Sequence, residues 1–521
     1  MLRLATGPPQ TPAGPGRFLA GSRRGSPSRI KWLPKGGELV VGPSSTRGGG
    51  EDISPGTTLV VAILASFIAF LDGSIVTIAL PAISAELGGG VGTQQWVLDA
   101  YLLTLGSFIL LAGSLADSFG HVRVLRVGLV LFGIGSVACA LAPITGVLIG
   151  SRVVQGLGAA LLVPGSLALI SAAFPGERRG AAIGTWTAWT STAFIVAPLL
   201  GGILVDSLGW RFIFGINVLP ILLALALTRH SRGRGLATGA PIDGIGAALT
   251  ACGLAGAVYA LIEQQNLGWG HPAVFTTLAV GLGCLVAFIW WERRAPTPML
   301  PTALFRIRNF RNGNLATAAI YAGVSLGPLV VVLYLQEVAG FSATLAGLAT
   351  LPVAVTSLLL SRVFGGLAGK HGPRFFMAFG PAVAAVGFLL MLATSSEFTF
   401  AWQVLPGLLV YGIGLSITVT PLTTAVLGSV PLSEAGIGSA INNAVARISG
   451  LIAIAFLGTI TGASIATPGF HVAVVVTAAC FAVGSLVAAI GIENQLVDPA
   501  SIPAAAKANC SDRPATGAVT T

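Results

Sequence analysis

Charge is scarce in this chain. Only 9% of its 521 residues are Asp, Glu, Lys or Arg, against 54% hydrophobic, and the mean hydropathy is +0.87. That balance excludes an ordinary soluble globular protein, in which about a quarter of the residues carry charge. Cysteine is scarce as well. The five present, Cys139, Cys252, Cys284, Cys480 and Cys510, stand singly without CxxC spacing, which excludes a disulfide framework or zinc cage and leaves them as small apolar fillers. The five histidines (His121, His230, His271, His371, His471) are isolated too, so neither a metal nor any other cofactor is expected. A phosphate-cradling loop is missing. Gly365-Gly-Leu-Ala-Gly-Lys-His371 is one residue short between its glycines and ends on His where Ser or Thr would hold magnesium. No motif supports enzymatic chemistry.

What is abundant is apolar sequence in runs of about 20 residues, the length that spans a hydrocarbon core of about 30 Å. Read in turn, these runs predict fourteen transmembrane helices, near 57–81, 96–116, 122–143, 145–172, 180–204, 210–228, 243–263, 273–291, 312–336, 342–365, 375–394, 401–425, 436–459 and 471–490. The expected fold class is an all-α integral membrane protein of the cell (inner or plasma) membrane. The 70 glycines suit packed membrane helices, where small residues let backbones approach.

The net charge of +10 resembles a nucleic-acid signature until the charges are placed. Gaps on one side of the membrane hold Arg123, Arg126, Arg178, Arg179, Arg229, Arg232, Arg234, Arg293, Arg294, Arg306, Arg308, Arg311, Lys370 and Arg374. The opposite gaps hold Glu86, Asp206, Glu263, Glu337 and Glu397, with Arg211 as the one base. By the positive-inside rule both termini are cytoplasmic, which requires an even helix count. Residues 1–55, rich in Gly, Pro, Ser and Arg, read as a disordered basic cytoplasmic tail, with a misassigned start as the other reading. Residues 491–521 read as a second cytoplasmic tail.

The chain echoes itself. Gly113-Ser-Leu-Ala-Asp-Ser-Phe-Gly-His-Val-Arg123 is answered 252 residues later by Gly365-Gly-Leu-Ala-Gly-Lys-His-Gly-Pro-Arg374. At an offset of 256, Gly156-Leu-Gly158 is answered by Gly412-Ile-Gly414, Pro175 by Pro431 and Gly180 by Gly436. The expected organisation is two pseudo-symmetric six-helix bundles, 57–228 and 312–490, flanking an extra central pair at 243–291. Repeats of this kind describe a transporter that rocks about a site between its halves.

Several charges fall inside the apolar runs, where each costs at least about 2.5 kcal/mol to insert. Asp72, within Leu59–Leu80, is the deepest, and reads as a proton-titrating group that also attracts cationic substrate, against a purely structural partner for an arginine. Asp99, near the outer end of the second run, is a second titratable or cation-attracting group, or else an interfacial carboxylate in contact with water. Arg152, in the fourth run, is a fixed cation able to tune a nearby carboxylate. In the second half, Arg447 with Asn442 and Asn443 forms either a polar cavity wall or helix-to-helix glue. Trp186 and Trp189 stack on an aromatic cation or belong to an interfacial belt.

The loop with Gly113, Leu115, Asp117, Gly120 and Arg123 resembles the signature loop of the major facilitator superfamily. Leu71-Asp-Gly-Ser-Ile-Val-Thr-Ile-Ala-Leu-Pro81 is similar to the first-helix motif of the fourteen-helix drug:proton antiporters of that superfamily, and Gln95-Trp-Val-Leu-Asp-Ala-Tyr-Leu-Leu103 to their second-helix motif. Leu148-Ile-Gly-Ser-Arg-Val-Val-Gln-Gly-Leu-Gly-Ala-Ala160 resembles the fourth-helix motif, and Trp210-Arg-Phe-Ile-Phe-Gly-Ile-Asn-Val-Leu-Pro220 the sixth-helix start. The resemblance implies that Gly113, Asp117, Gly120 and Arg123 form a conformational latch. It also implies that Pro198, Gly201 and Gly202, in Ala197-Pro-Leu-Leu-Gly-Gly202, form a helix-packing motif associated with export. Three positions depart from the pattern: Ala197 replaces a glycine, His121 and Val122 replace a basic pair, and Gly369 stands where the second loop would carry aspartate.

The resemblance points to proton-coupled efflux of lipophilic or cationic compounds by alternating access, with Asp72, Asp99 and Arg152 handling protons and substrate. A dedicated exporter or importer of one metabolite, such as an antibiotic, amino acid or organic anion recognised by Arg447 and Asn442, is the alternative. A non-transporting receptor is the third reading, disfavoured because no folded soluble domain accompanies the membrane part. The expected partners are a small-molecule substrate, protons and the lipid bilayer, without nucleic acid; a monomer is compatible with all of this.

Overall fold

The computed structural model describes residues 54–174, 177–229, 242–296, 298–395, 397–431, 434–462 and 465–494. The tail read at 1–55, up to residue 53, and the stretch 495–521 lie outside the described residues, as do Pro175, His230, Arg232, Arg234 and Cys510.

Among the described residues all regular structure is helical. The helices are α1 (Pro55–Leu87), α2 (Gly90–Phe119), α3 (His121–Ala140), α4 (Thr145–Ala173), α5 (Glu177–Ser207), α6 (Phe212–Gly215), α7 (Val218–Thr228), α8 (Gly244–Leu267), α9 (Pro272–Glu292), α10 (Arg308–Leu333), α11 (Ala343–His371), α12 (Pro373–Leu390), α13 (Phe400–Gln403), α14 (Leu405–Gly428), α15 (Ala435–Ala455), α16 (Leu457–Thr461) and α17 (Thr467–Gly491). Thirteen helices among the described residues are long and apolar enough to cross a membrane, where the apolar runs predict fourteen. The difference lies at 210–228. That run folds as Phe212–Thr228, interrupted between α6 and α7 at Ile216 and Asn217. The run is shorter than the other thirteen, and Asn217 in its middle keeps helical backbone, φ −66° and ψ −24°, while its amide donates to Asp72 on α1.

Local chemistry sets the boundaries. Ser54 caps α1 by accepting from Thr57 N at 3.2 Å, with Pro55 at the first helical position, where its missing N–H costs nothing. Asp243 caps α8 and Ser342 caps α11 in the same way. The two echoed loops turn on glycines in the left-handed region, Gly120 at φ 92° between α2 and α3, and Gly372 at φ 85° between α11 and α12. A side chain is strained at such φ values, so glycine is the residue that fits.

The echo extends to packing. A Cβ on Gly135 of α3 would lie 2.8 Å from Gln155 N of α4, and one on Gly387 of α12 would lie 2.6 Å from Tyr411 N of α14. Both helix pairs therefore pack backbone to backbone at glycines 252 residues apart, the close approach that small residues permit in membranes. Between α1–α7 and α10–α17, the main contacts run along α2 against α15 and α5 against α11. Helix α8 lies against α2, α15 and α16, with α9 on its far side.

Candidate functional site

Asp72 faces the interior of the first helix group, and its side chain has no exposed surface. Arg152 of α4 donates from Nη1 to Asp72 Oδ2 at 2.5 Å, and neither side chain touches solvent. Gln155 Nε2 donates to Asp72 Oδ1 at 2.8 Å, and Asn217 Nδ2, from the break between α6 and α7, donates to the same oxygen at 3.0 Å. The arginine is held in turn. Its Nη1 also reaches Gln155 Oε1 at 2.7 Å, its Nε donates to Val97 O of α2 at 2.9 Å, and its guanidinium carbon lies 4.3 Å from the centre of the Tyr101 ring. Gln155 completes the ring by donating to Ser136 Oγ of α3 at 2.8 Å.

The sequence accounts for this convergence. Arg152 and Gln155 are three residues apart, so both point from one face of α4. Gly156 next to them brings α4 against α2, since a Cβ there would meet the Tyr101 backbone. An ion pair taken out of water is stable only when the remaining lone pairs and protons also find partners. Asp72 meets that condition with three donors, whereas Arg152 Nη2 has no partner among the described residues. The cluster thus ties α1, α2, α3, α4 and the α6–α7 break to one charge on one carboxylate.

Asp99 sits elsewhere. It lies on the stripe of α2 that faces α15: Gln95, one turn earlier, donates from Nε2 to Ile454 O and Ala455 O at 2.8 Å, and Gly106, two turns later, faces Ile448 and Arg447. Asp99 is fully buried, and neither carboxylate oxygen has a hydrogen-bond partner among the described residues. An interfacial carboxylate in contact with water is therefore not what the structure holds. Arg447, half-buried on α15 across the same seam, has its guanidinium carbon 5.5 Å from the centre of the Phe70 ring of α1. The seam between the helix groups thus carries an acid on one wall and a base on the other.

The other residues singled out by sequence separate. Asn442 turns into its own helix group, donating to Thr317 Oγ1 at 2.8 Å and Asn314 Oδ1 at 3.2 Å, whereas Asn443 donates to Ser439 O one turn back. Trp186 donates to Ser66 Oγ of α1 at 3.1 Å, but Trp189 points away and is 57% exposed, so they form no aromatic clamp. In the signature loop, Asp117 Oδ1 lies 3.8 Å from His121 Nε2; Arg123 is exposed on α3. Gly113 lies near the end of α2 with open space beside it.

Pro198, Gly201 and Gly202 mark a close contact between α5, α1 and α11. A Cβ on Gly201 would meet Ile75, and one on Gly202 would lie 2.5 Å from Thr344 Cα; Gly347 of α11 faces Pro198 O in return. Polar joins surround this contact. Asp206 accepts from Ala343 N at 3.2 Å and Thr344 N at 2.8 Å, Gln94 donates to Glu337 at 2.5 Å, and Gln336 donates to Ile78 O at 3.0 Å. Helix α8 adds Glu263, which accepts from Trp96 at 2.9 Å, and Gln264, which donates to Thr459 at 2.7 Å. All of these lie at the end of the bundle that carries the α1–α2 and α10–α11 connections.

Gln155, Asn217, Ser136 and Gln95 join the clusters at Asp72 and the α2–α15 contact without having been singled out from the sequence. Gln155 had a signal in its three-residue spacing from Arg152 on a membrane helix, and Asn217 in being polar within an apolar run. Gln95 opens the second-helix motif without being singled out, and Ser136 carried no local mark, because their bonds depend on which helices become neighbours.

Comparison with known proteins agrees with this architecture. The sequence profile described as Major Facilitator Superfamily matches residues 62–454. Multidrug resistance protein Stp of Mycobacterium tuberculosis is 36% identical over 415 residues, covering 78% of this chain and 76% of that protein. Puromycin resistance protein pur8 of Streptomyces alboniger is 34% identical over 424 residues, covering 79% and 83%. Among solved structures, the inward open conformation of the xylose transporter XylE from E. coli superposes with a TM-score of 0.59 at 14% identity, covering 85% of this chain and 98% of that one. At that identity the likeness concerns the fold alone.

Proposed function

The chain belongs to the Major Facilitator Superfamily, and we propose that it is a proton-coupled exporter of lipophilic, cationic compounds that works by alternating access. The observation that carries this reading is the buried Asp72–Arg152 pair, whose one titratable charge is wired to four other helical elements. Relatives named for multidrug and puromycin resistance support the substrate class.

In this reading protonation of Asp72 discharges the pair and leaves Arg152 without its counter-ion. A buried cation with no partner is costly, so α1, α2 and α4 repack until Arg152 finds another acceptor or water. Asp99 has the complementary role. Its unpaired carboxylate at the seam attracts either a proton or the cationic group of a substrate, so binding one favours release of the other. A membrane potential adds about 2.3 kcal/mol per charge per 100 mV if the exchange is electrogenic.

The proposal further includes fourteen crossings, with Phe212–Thr228 as a short, broken sixth, and pseudo-symmetric halves at 57–228 and 312–490 flanking the pair at 243–291. The paired glycine contacts of α3–α4 and α12–α14 support the repeat. The arginine-rich gaps support cytoplasmic termini. The joins at Asp206, Gln94 and Gln336 then close the outer side, which corresponds to an inward-facing state. Gly113, Asp117, Gly120 and Arg123 are proposed as the inner latch, and Pro198, Gly201 and Gly202 as the outer contact that must part for release.

Expression of wild type and Asp72→Asn in a pump-deficient strain tests the reading. Wild type should raise resistance to several lipophilic cations and Asp72→Asn to none; equal resistance would overturn it. Arg447 favours a second reading, export of one compound with an anionic group, because it faces the seam without a carboxylate partner among the described residues. Loss of binding in Arg447→Ala with Asp72→Asn silent would select that reading.

A further inference from the structure

At the end of the bundle opposite the polar joins, helices α10 and α17 enclose a groove of about 490 Å³. One end is basic and the other apolar. Arg308, Arg311 and Asn312 line the first, and Leu315, Leu486 and Ile490 continue it along the helix surfaces. The apolar residues are more than half exposed, at 54%, 59% and 65%, so the groove opens on the side that meets acyl chains in a membrane protein.

The carbonyls that end α17 would repel an anion, but each is already engaged. Arg374 donates to Ala489 O at 2.9 Å, Arg308 to Ile490 O at 3.2 Å, and Asn312 to Gly491 O at 2.8 Å. Glu493 pairs with Arg308 at 2.5 Å. Two arginines thus serve the helix end and one of them is neutralised. Arg311, exposed at the groove, has no carboxylate partner among the described residues.

We propose that this groove binds one anionic phospholipid, with its phosphate on Arg311 beside Arg308 and one acyl chain along Leu315, Leu486 and Ile490. Basic pockets between membrane helices hold acidic headgroups in this way. The combination distinguishes a lipid from a free anion: inorganic phosphate uses only the arginines, whereas a lipid also gains from the apolar wall. The site is separate from Asp72 and Asp99, and it depends on the chain being a membrane protein rather than on its substrate.

The test uses the full-length chain, purified in neutral detergent and offered phosphatidylglycerol, phosphatidylcholine or inorganic phosphate, with bound lipid counted by native mass spectrometry. Wild type should retain one phosphatidylglycerol in preference to phosphatidylcholine. Arg311→Gln should weaken that retention about fivefold, and Leu486→Gln should weaken it too, while Arg306→Gln, an exposed arginine outside the groove, should leave it unchanged. Both groove side chains are exposed, so folding is preserved, and size-exclusion profiles check this for each variant separately. Equal retention of both lipids would overturn the proposal, as would unchanged retention in both groove variants, or displacement of phosphatidylglycerol by an equal concentration of inorganic phosphate.

Discussion

Arg152 Nη1 lies 2.5 Å from Asp72 Oδ2, with no exposed surface on either side chain. A cation and a carboxylate are sealed together between α1 and α4, with the Tyr101 ring of α2 stacked on the cation. The proposed function gives the pair the proton and Asp99 the cation, and α2 links the two by giving Val97 O to Arg152 and carrying Asp99.

Breaking the pair from the acid side should unfold more than it disconnects. Asp72→Ala leaves Arg152 buried without a counter-ion, a loss of about 3–5 kcal/mol. Replacing both partners by apolar residues, Asp72→Leu with Arg152→Met, should restore much of the thermal stability without restoring transport. Melting of the purified variants in detergent measures this, and a double variant as unstable as Asp72→Ala would contradict it.

Asp99 should behave in the opposite way. Its carboxylate has no hydrogen-bond partner among the described residues, and an unpartnered buried charge is unfavourable. Asp99→Asn should leave the melting temperature equal or higher. Affinity for a monovalent cationic compound should fall about tenfold, equivalent to ~1.4 kcal/mol, with neutral compounds unaffected. Ligand-fluorescence titration of both compound types decides it; equal losses for both would remove Asp99 from cation recognition.

The contact between α5 and α11 should be a switch between closed and open outer faces. Gly202→Val inserts side chain where Thr344 Cα already stands within 2.5 Å of a Cβ, a strain of about 1–3 kcal/mol. Cysteines introduced at Gln94 and Glu337, whose side-chain ends are hydrogen-bonded at 2.5 Å, should be bridged by a bifunctional thiol reagent in the parent background and less when Gly202→Val is added. Unchanged cross-linking would mean that the contact does not control closure.

Much of the architecture is legible in the chain because membrane helices announce themselves by length and apolarity, and the buried charges by their insertion cost. Asp72 and Arg152 are both visible in this way. Their pairing is not, since eighty residues separate them and only packing of α1 on α4 brings them together. Asn217 shows the same difficulty. It is a polar residue within an apolar run, and its partner is a carboxylate on another helix. Asn442 reads as either a cavity wall beside Arg447 or helix-to-helix glue, and its bonds to Asn314 and Thr317 of α10 fit the second.

Proton movement in proteoliposomes measures the role of Asp72 most directly. With a pH-sensitive dye trapped inside, a gradient of a transported lipophilic cation should drive proton flux through wild type. Asp72→Asn, reconstituted to the same density and still binding the cation, should give none. Substrate-driven proton flux in Asp72→Asn equal to that of wild type would contradict the assignment of the buried pair as the proton-linked switch.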